Sequence, residues 1–186
     1  MLEAVTPEQA RALRAESVAV SAEARALCAG MEVSALMKRP PGGGWSVAEI
    51  LEHLLLTADA MLPLAEGAIT ALELAGRKST RGSGLGLVGW LLVKSLEPPP
   101  RMKTKTITPF EPLDVTDPLM LVDRFVATNA RLDTLIARAT GLATTEVKLV
   151  SPFNASVKYN VYAAMRILLV HARRHLWQAR EAKKRL

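Results

Sequence analysis

The stretch that most constrains this chain opens at Ser46-Val47-Ala48-Glu49, a capping box in which side chains and backbone close on each other at a helix start. From there to about Gly76 the sequence reads as one long helix. Glu52, Asp59, Glu66 and Glu73 recur every seven residues as a solvated stripe, set against an apolar face carrying Ile50, Leu54, Thr57 and Met61. A helix this apolar needs other helices to cover it, and the composition supplies them. Ala and Leu are abundant, β-branched residues are sparse, and only 4% of residues are aromatic, which favours helix over sheet.

Three further helical segments can be read. Thr6-Pro7-Glu8-Gln9 is a second capped start, with Pro7 in the first turn; it predicts a helix from Pro7 to about Ala29, ended by Gly30 and the breakers Pro40-Pro41-Gly42-Gly43-Gly44. Asp117-Pro118 restarts a helix that runs to about Ala139, with Leu121, Phe125, Leu132, Leu135 and Ile136 on its apolar face and Asp114 and Asp117 as its simplest caps. Thr128 and Asn129, beside that face, read as exposed. After a loop containing Ser151-Pro152-Phe153-Asn154, the last helix begins near Asn160 and continues to the C-terminus. Between residues 77 and 116 the periodicity fails: Arg81 to Gly86 is flexible, Leu87 to Leu96 forms a short apolar helix, and Pro98-Pro99-Pro100 is extended. The expected fold is therefore all-α, a four-helix bundle with a long crossover between its second and third helices, with residues 1–186 as one domain.

Charge and composition exclude several classes of function. The net charge of +6 is concentrated in Arg101 to Lys105 and Arg173 to Arg185. Basic residues at a helix end complement its dipole, and no aromatic residues interleave with them for base stacking, so no nucleic-acid partner is expected. Gly82, Gly84 and Gly86 lack the preceding strand and the Gly-Lys-Ser/Thr ending of a phosphate loop. The single cysteine, Cys28, rules out an intramolecular disulfide and reads as a buried helical thiol. The N-terminus has no basic or apolar leader, and no unbroken apolar run approaches the roughly 20 residues of a bilayer span, so a cytoplasmic protein with no membrane partner is expected.

The chemistry lies in the histidines. There are three, of which His171 and His175 are four apart on the last helix and His53 lies on the second, one helical step from the acidic stripe. Residues at i and i+4 project from one face, so two imidazoles converge on one cation, and a third from another helix completes the set used by catalytic zinc sites with an open position. Gln178 continues the His171 and His175 stripe as a neighbouring contact. Trp45 reads first as a packing anchor before the capping box, with the mouth of the site as its alternative. Glu49, one turn before His53, reads first as a cap and only second as a general base.

Taken together, Trp45-Ser46-Val47-Ala48-Glu49-Ile50-Leu51-Glu52-His53-Leu54 and His171-Ala172-Arg173-Arg174-His175-Leu176-Trp177-Gln178 resemble the two signatures of the DinB-like (YfiT-like) metalloprotein superfamily. The resemblance spans nearly the whole chain. It implies a four-helix bundle holding a divalent ion, zinc or nickel, through His53, His171 and His175. It also implies a thiol-dependent chemistry, since characterised relatives include isomerases and S-transferases that use a low-molecular-weight thiol. The expectation is thus a metal-dependent enzyme of the transferase or hydrolase kind acting on a small-molecule substrate. Its competitors are a non-catalytic metal- or ligand-binding stress-response module and a metal-free interaction scaffold. The apolar stretch Leu85 to Leu96, with the apolar second helix, predicts a homodimer.

Overall fold

The computed structural model describes residues 2–99 and 106–186; the expectations for Pro100 and for the basic stretch Arg101 to Lys105 lie outside the described residues. Six helices are described: α1 (Pro7–Cys28), α2 (Val33–Met37), α3 (Val47–Leu74), α4 (Gly86–Leu96), α5 (Leu121–Ala139) and α6 (Val161–Lys183). A two-stranded ribbon, β1 (Lys148–Ser151) and β2 (Asn154–Asn160), precedes α6. The four long helices pack as α1 and α3 each against both α5 and α6, so the first two long helices in sequence stand diagonally across the bundle.

Capping explains where these helices begin. In α1 the Thr6 hydroxyl accepts from the Gln9 amide while the Gln9 side chain accepts from the Thr6 amide; Ser46 and Glu49 repeat the arrangement at α3. Asn160 caps α6 by accepting from the Ala163 amide at 2.8 Å, and its own amide group donates to the Gly84 carbonyl at 2.9 Å. The start of α5 differs from expectation. Asp114 and Asp117 do not cap it; residues 117–120 form a turn, and the helix begins at Leu121 without a side-chain cap.

Helix α3 is the centre of the core. Its buried positions run from Val47 to Leu72 on several sides of the helix, because it is covered by both α5 and α6. By length and mean hydropathy, 1.3 over its most apolar window, it is long and apolar enough to cross a bilayer, although no unbroken apolar run in it is that long; half of that window is buried, in the core of the bundle. Pro63 falls on its exposed side, as does Asp59, the residue whose carbonyl loses its helical donor there.

The acidic stripe of α3 is not merely solvated. Arg124, Arg131 and Arg138 on α5 repeat the same seven-residue spacing and pair across the seam, Arg124 with Glu52 at 3.2 Å, Arg131 with Glu66 at 2.6 Å and Arg138 with Glu73 at 2.7 Å. Exposed pairs of this kind add little stability; the last two share one offset along the helices, while Arg124 reaches a glutamate one heptad out of step with them. The basic residues of α6 are likewise engaged, Arg166 and Arg173 with Glu16, Arg173 also with Glu97, and Arg180 with Glu23.

The ribbon corrects the all-α expectation. Leu149 pairs with Tyr159 and both are buried, while the register shifts between Val150 and Ser151 as the chain turns through Pro152 and Phe153. Within the crossover, α4 lies on α6 through Gly89 and Val93; a Cβ built on Gly89 would stand 2.6 Å from the Ala163 Cβ. The chain then bends at residues 97–99, and Thr108–Phe110 forms one 3-10 turn that returns it to α3.

Candidate metal centre

His53 projects from the second turn of α3 and His171 and His175 from successive turns of α6, two helices packed against each other along their length. One nitrogen from each ring lies within 4.8 Å of the other two, and the Nε2 atoms of His53 and His171 are 3.4 Å apart. Two nitrogens at 2.0–2.1 Å from a tetrahedral zinc would be separated by ~3.3 Å, so that pair already stands at a coordination edge.

The surroundings fix how the rings present themselves. His53 is 2% exposed, and its Nδ1 lies 2.8 Å from the main-chain carbonyl of Phe110. A carbonyl only accepts, so Nδ1 carries the proton and Nε2 offers its lone pair inward. A ligating histidine held by a carbonyl on its other nitrogen is the usual outer-shell arrangement of protein metal sites. His175 Nδ1 is buried with no hydrogen-bond partner, an orphaned polar atom of the kind native interiors seldom leave. Trp45 covers the cluster from the α2–α3 loop, its ring 4.9 Å from that of His53 and 6.3 Å from that of His175. On another side Phe153, at the ribbon tip, stacks at 4.2 Å on Phe110 and lies 6.3 Å from His171.

All three imidazoles are biased towards the neutral form that ligates. Burial lowers the pKa of His53 against the opposing pull of the Phe110 carbonyl. Burial, then His53 and Arg174, push His171 down to about 3. His175 is held well below its ordinary value by burial and by its two histidine neighbours and Arg174, with Gln178 the one opposing influence. Three neutral nitrogen donors, one set in its tautomer and one ring with an unsatisfied nitrogen, fit a divalent ion of the borderline type.

Other expectations are resolved by position. Glu49 keeps its capping role, accepting from the Ser46 amide at 2.8 Å, and Arg39 grips the same carboxylate with Nε at 2.9 Å. Burial alone would raise its pKa, but Arg39 and the Ser46 amide together hold it below the usual range. A carboxylate so engaged is a poor general base. Trp45 belongs to the site's wall, and it borders a cleft of about 280 Å³ lined also by Arg39, Thr106, Glu111, Pro112 and Leu113. The crossover and the α2–α3 loop therefore flank that opening. Asn129 is buried rather than exposed, and with Thr128 it borders a small pocket that reaches His171. Cys28 is half-buried at the end of α1, its pKa raised by burial. The Phe110 carbonyl is invisible in the sequence, because a main-chain acceptor has no residue signature.

Comparison with curated proteins and with solved structures gives no match. The family model described as the DinB superfamily matches residues 16–179, a span holding all three histidines and all four long helices apart from the ends of α1 and α6, and the chain belongs to that superfamily.

Proposed function

We propose that the protein is a divalent-metal-dependent enzyme of the transferase or hydrolase kind, with His53, His171 and His175 as the protein ligands of a zinc or nickel ion. The observation that carries this is the convergence of three desolvated, neutral imidazoles within 4.8 Å, one of them set in its tautomer by a main-chain carbonyl. Bound there, a divalent ion supplies Lewis acidity that makes hydroxide available from water, or thiolate from a low-molecular-weight thiol, near neutral pH.

The chain's own residues provide the rest. Phe110 orients His53 through its carbonyl and, with Phe153, walls off one side of the cluster. Trp45 separates the histidines from the outer cleft, whose six lining residues offer both charges and an apolar surface to a small electrophile. Glu49 is tied to Arg39 and the α3 terminus, so proton transfer falls to the histidine site and to solvent.

Protein purified without an affinity tag should contain about one zinc or nickel ion per chain by elemental analysis, removed by chelation and lost in His53→Ala and His175→Ala with the helical circular dichroism retained. Reloaded wild-type protein screened with small thiols and activated esters or amides should then turn over only with metal. Unchanged metal content in either variant would sink the ligand assignment; bound metal without turnover across the screen would favour a binding module.

A further inference from the structure

The buried stripe of α5 consists of Leu121, Phe125, Asn129, Leu132, Leu135, Ile136 and Ala139, and Asn129 is its one polar member. It is 6% exposed, yet the packing of the bundle makes no use of its amide. Nδ2 donates to the Phe125 carbonyl at 3.0 Å, one turn back on the same helix, a bond that joins nothing to anything else. Ser17 on α1 does reach residue 129, but its hydroxyl donates to the main-chain carbonyl at 3.2 Å, which any residue there would offer. Among the described residues nothing donates to Oδ1. The bundle thus leaves the amide oxygen of a residue only 6% exposed without a donor of its own.

The pocket bordered by that amide lies among α3, α5 and α6 and measures about 20 Å³, room for one water-sized group. Its walls are apolar except for Asn129, Thr128 and the ring of His171. Elsewhere the histidines have Trp45 beside His53 and His175, Phe153 near His171 and the Phe110 carbonyl at His53 Nδ1. We infer that this pocket seats the exchangeable ligand of the histidine site, a water-sized O–H donor, and that Asn129 Oδ1 accepts its hydrogen bond. Asn129 is then a positioning residue: it holds the incoming oxygen by a proton and leaves the lone pair for the ion. The inference rests on the metal reading above.

Cobalt, whose visible absorption reports its ligands, and fluoride, a water-sized anion that displaces bound water, test it without any substrate. Fluoride cannot donate to an amide oxygen, so in the wild-type protein its binding strands Asn129 Oδ1. In cobalt-loaded Asn129→Leu, fluoride should bind about tenfold more tightly, the worth of one unmade hydrogen bond, while cobalt affinity stays within about threefold. Asn129→Asp, isosteric and a safeguard should the leucine variant fail to fold, should bind fluoride about tenfold more weakly, since a carboxylate there repels the anion. Fluoride titrations that superimpose in the wild-type and variant proteins, or that show no binding in any of them, overturn the inference and leave the metal site standing. A wild-type protein that takes up no cobalt overturns the metal reading, and this inference with it.

Discussion

Acidification of the metal-free protein should destabilise it, and the histidine cluster sets by how much. His171 has an ordinary pKa near 6.5 when the chain is unfolded and about 3 when folded, because burial and its neighbours oppose a second positive charge. The unfolded chain therefore takes up a proton first as pH falls. Stability is fully present above 6.5 and is lost progressively between 6.5 and 3. From pH 7.5 to pH 5 the loss due to His171 amounts to about 2 kcal/mol, at 1.36 kcal/mol per unit. His53 and His175 shift in the same direction and steepen the fall. Urea unfolding of chelator-treated protein at the two pH values should show the loss as a lower midpoint, and His171→Gln, which has nothing to protonate there, should lose about 2 kcal/mol less over the same interval. Equal losses in the two proteins would refute the claim that the folded site excludes the proton. Saturating zinc should shrink the wild-type loss, because ligation and protonation compete for the same lone pairs.

Three other outcomes follow from the packing. Gly89→Ala should destabilise by about 1–3 kcal/mol despite alanine's better helix propensity, since the new Cβ would meet that of Ala163 at 2.6 Å; Gly67→Ala, with nothing within 4 Å, should stabilise by about 0.5–1 kcal/mol, and thermal unfolding of the pair separates crowding from propensity. On α4, Leu87 is 74% and Trp90 49% exposed beside Leu91, so the protein should sediment as a homodimer at tens of micromolar and Trp90→Glu as a monomer; identical sedimentation of the two proteins would remove α4 from any interface. Glu66→Lys, which sets like charges beside Arg131 and Arg138, should lower the unfolding midpoint measurably more at low salt than at 1 M, where screening cancels the pairing.

What the sequence made legible was local. The capping boxes at Thr6 and Ser46 and the start near Asn160 place three of the four long helices to within a residue or two, because a cap is decided by neighbours in the chain. The histidines were legible for the same reason: a spacing of four on one helix is local, and only the pairing of α3 with α6 had to come from the fold. What was hidden depends on partners distant in sequence. The ribbon has a first strand of four residues, Lys148 to Ser151, too short for its alternation to stand out. Glu52, Glu66 and Glu73 looked like a surface stripe until α5 brought arginines at the same spacing, and Asn129 looked exposed because a polar residue in an apolar stripe is ordinarily at its edge. Trp45 reads as a packing anchor in the sequence because nothing local places its ring against His53.

The carbonyl of Phe110 has a consequence for how such a site changes over generations. Every peptide unit carries the same oxygen, so no substitution at position 110 can delete the acceptor that fixes the tautomer of His53. A new side chain at that position alters the ring contact with Phe153 and the local packing, but not the acceptor. The orientation of the ring is inherited through the path of the crossover rather than through any residue's identity, which leaves the cover of the site free to diversify, and its chemistry with it, while the imidazole beneath stays poised.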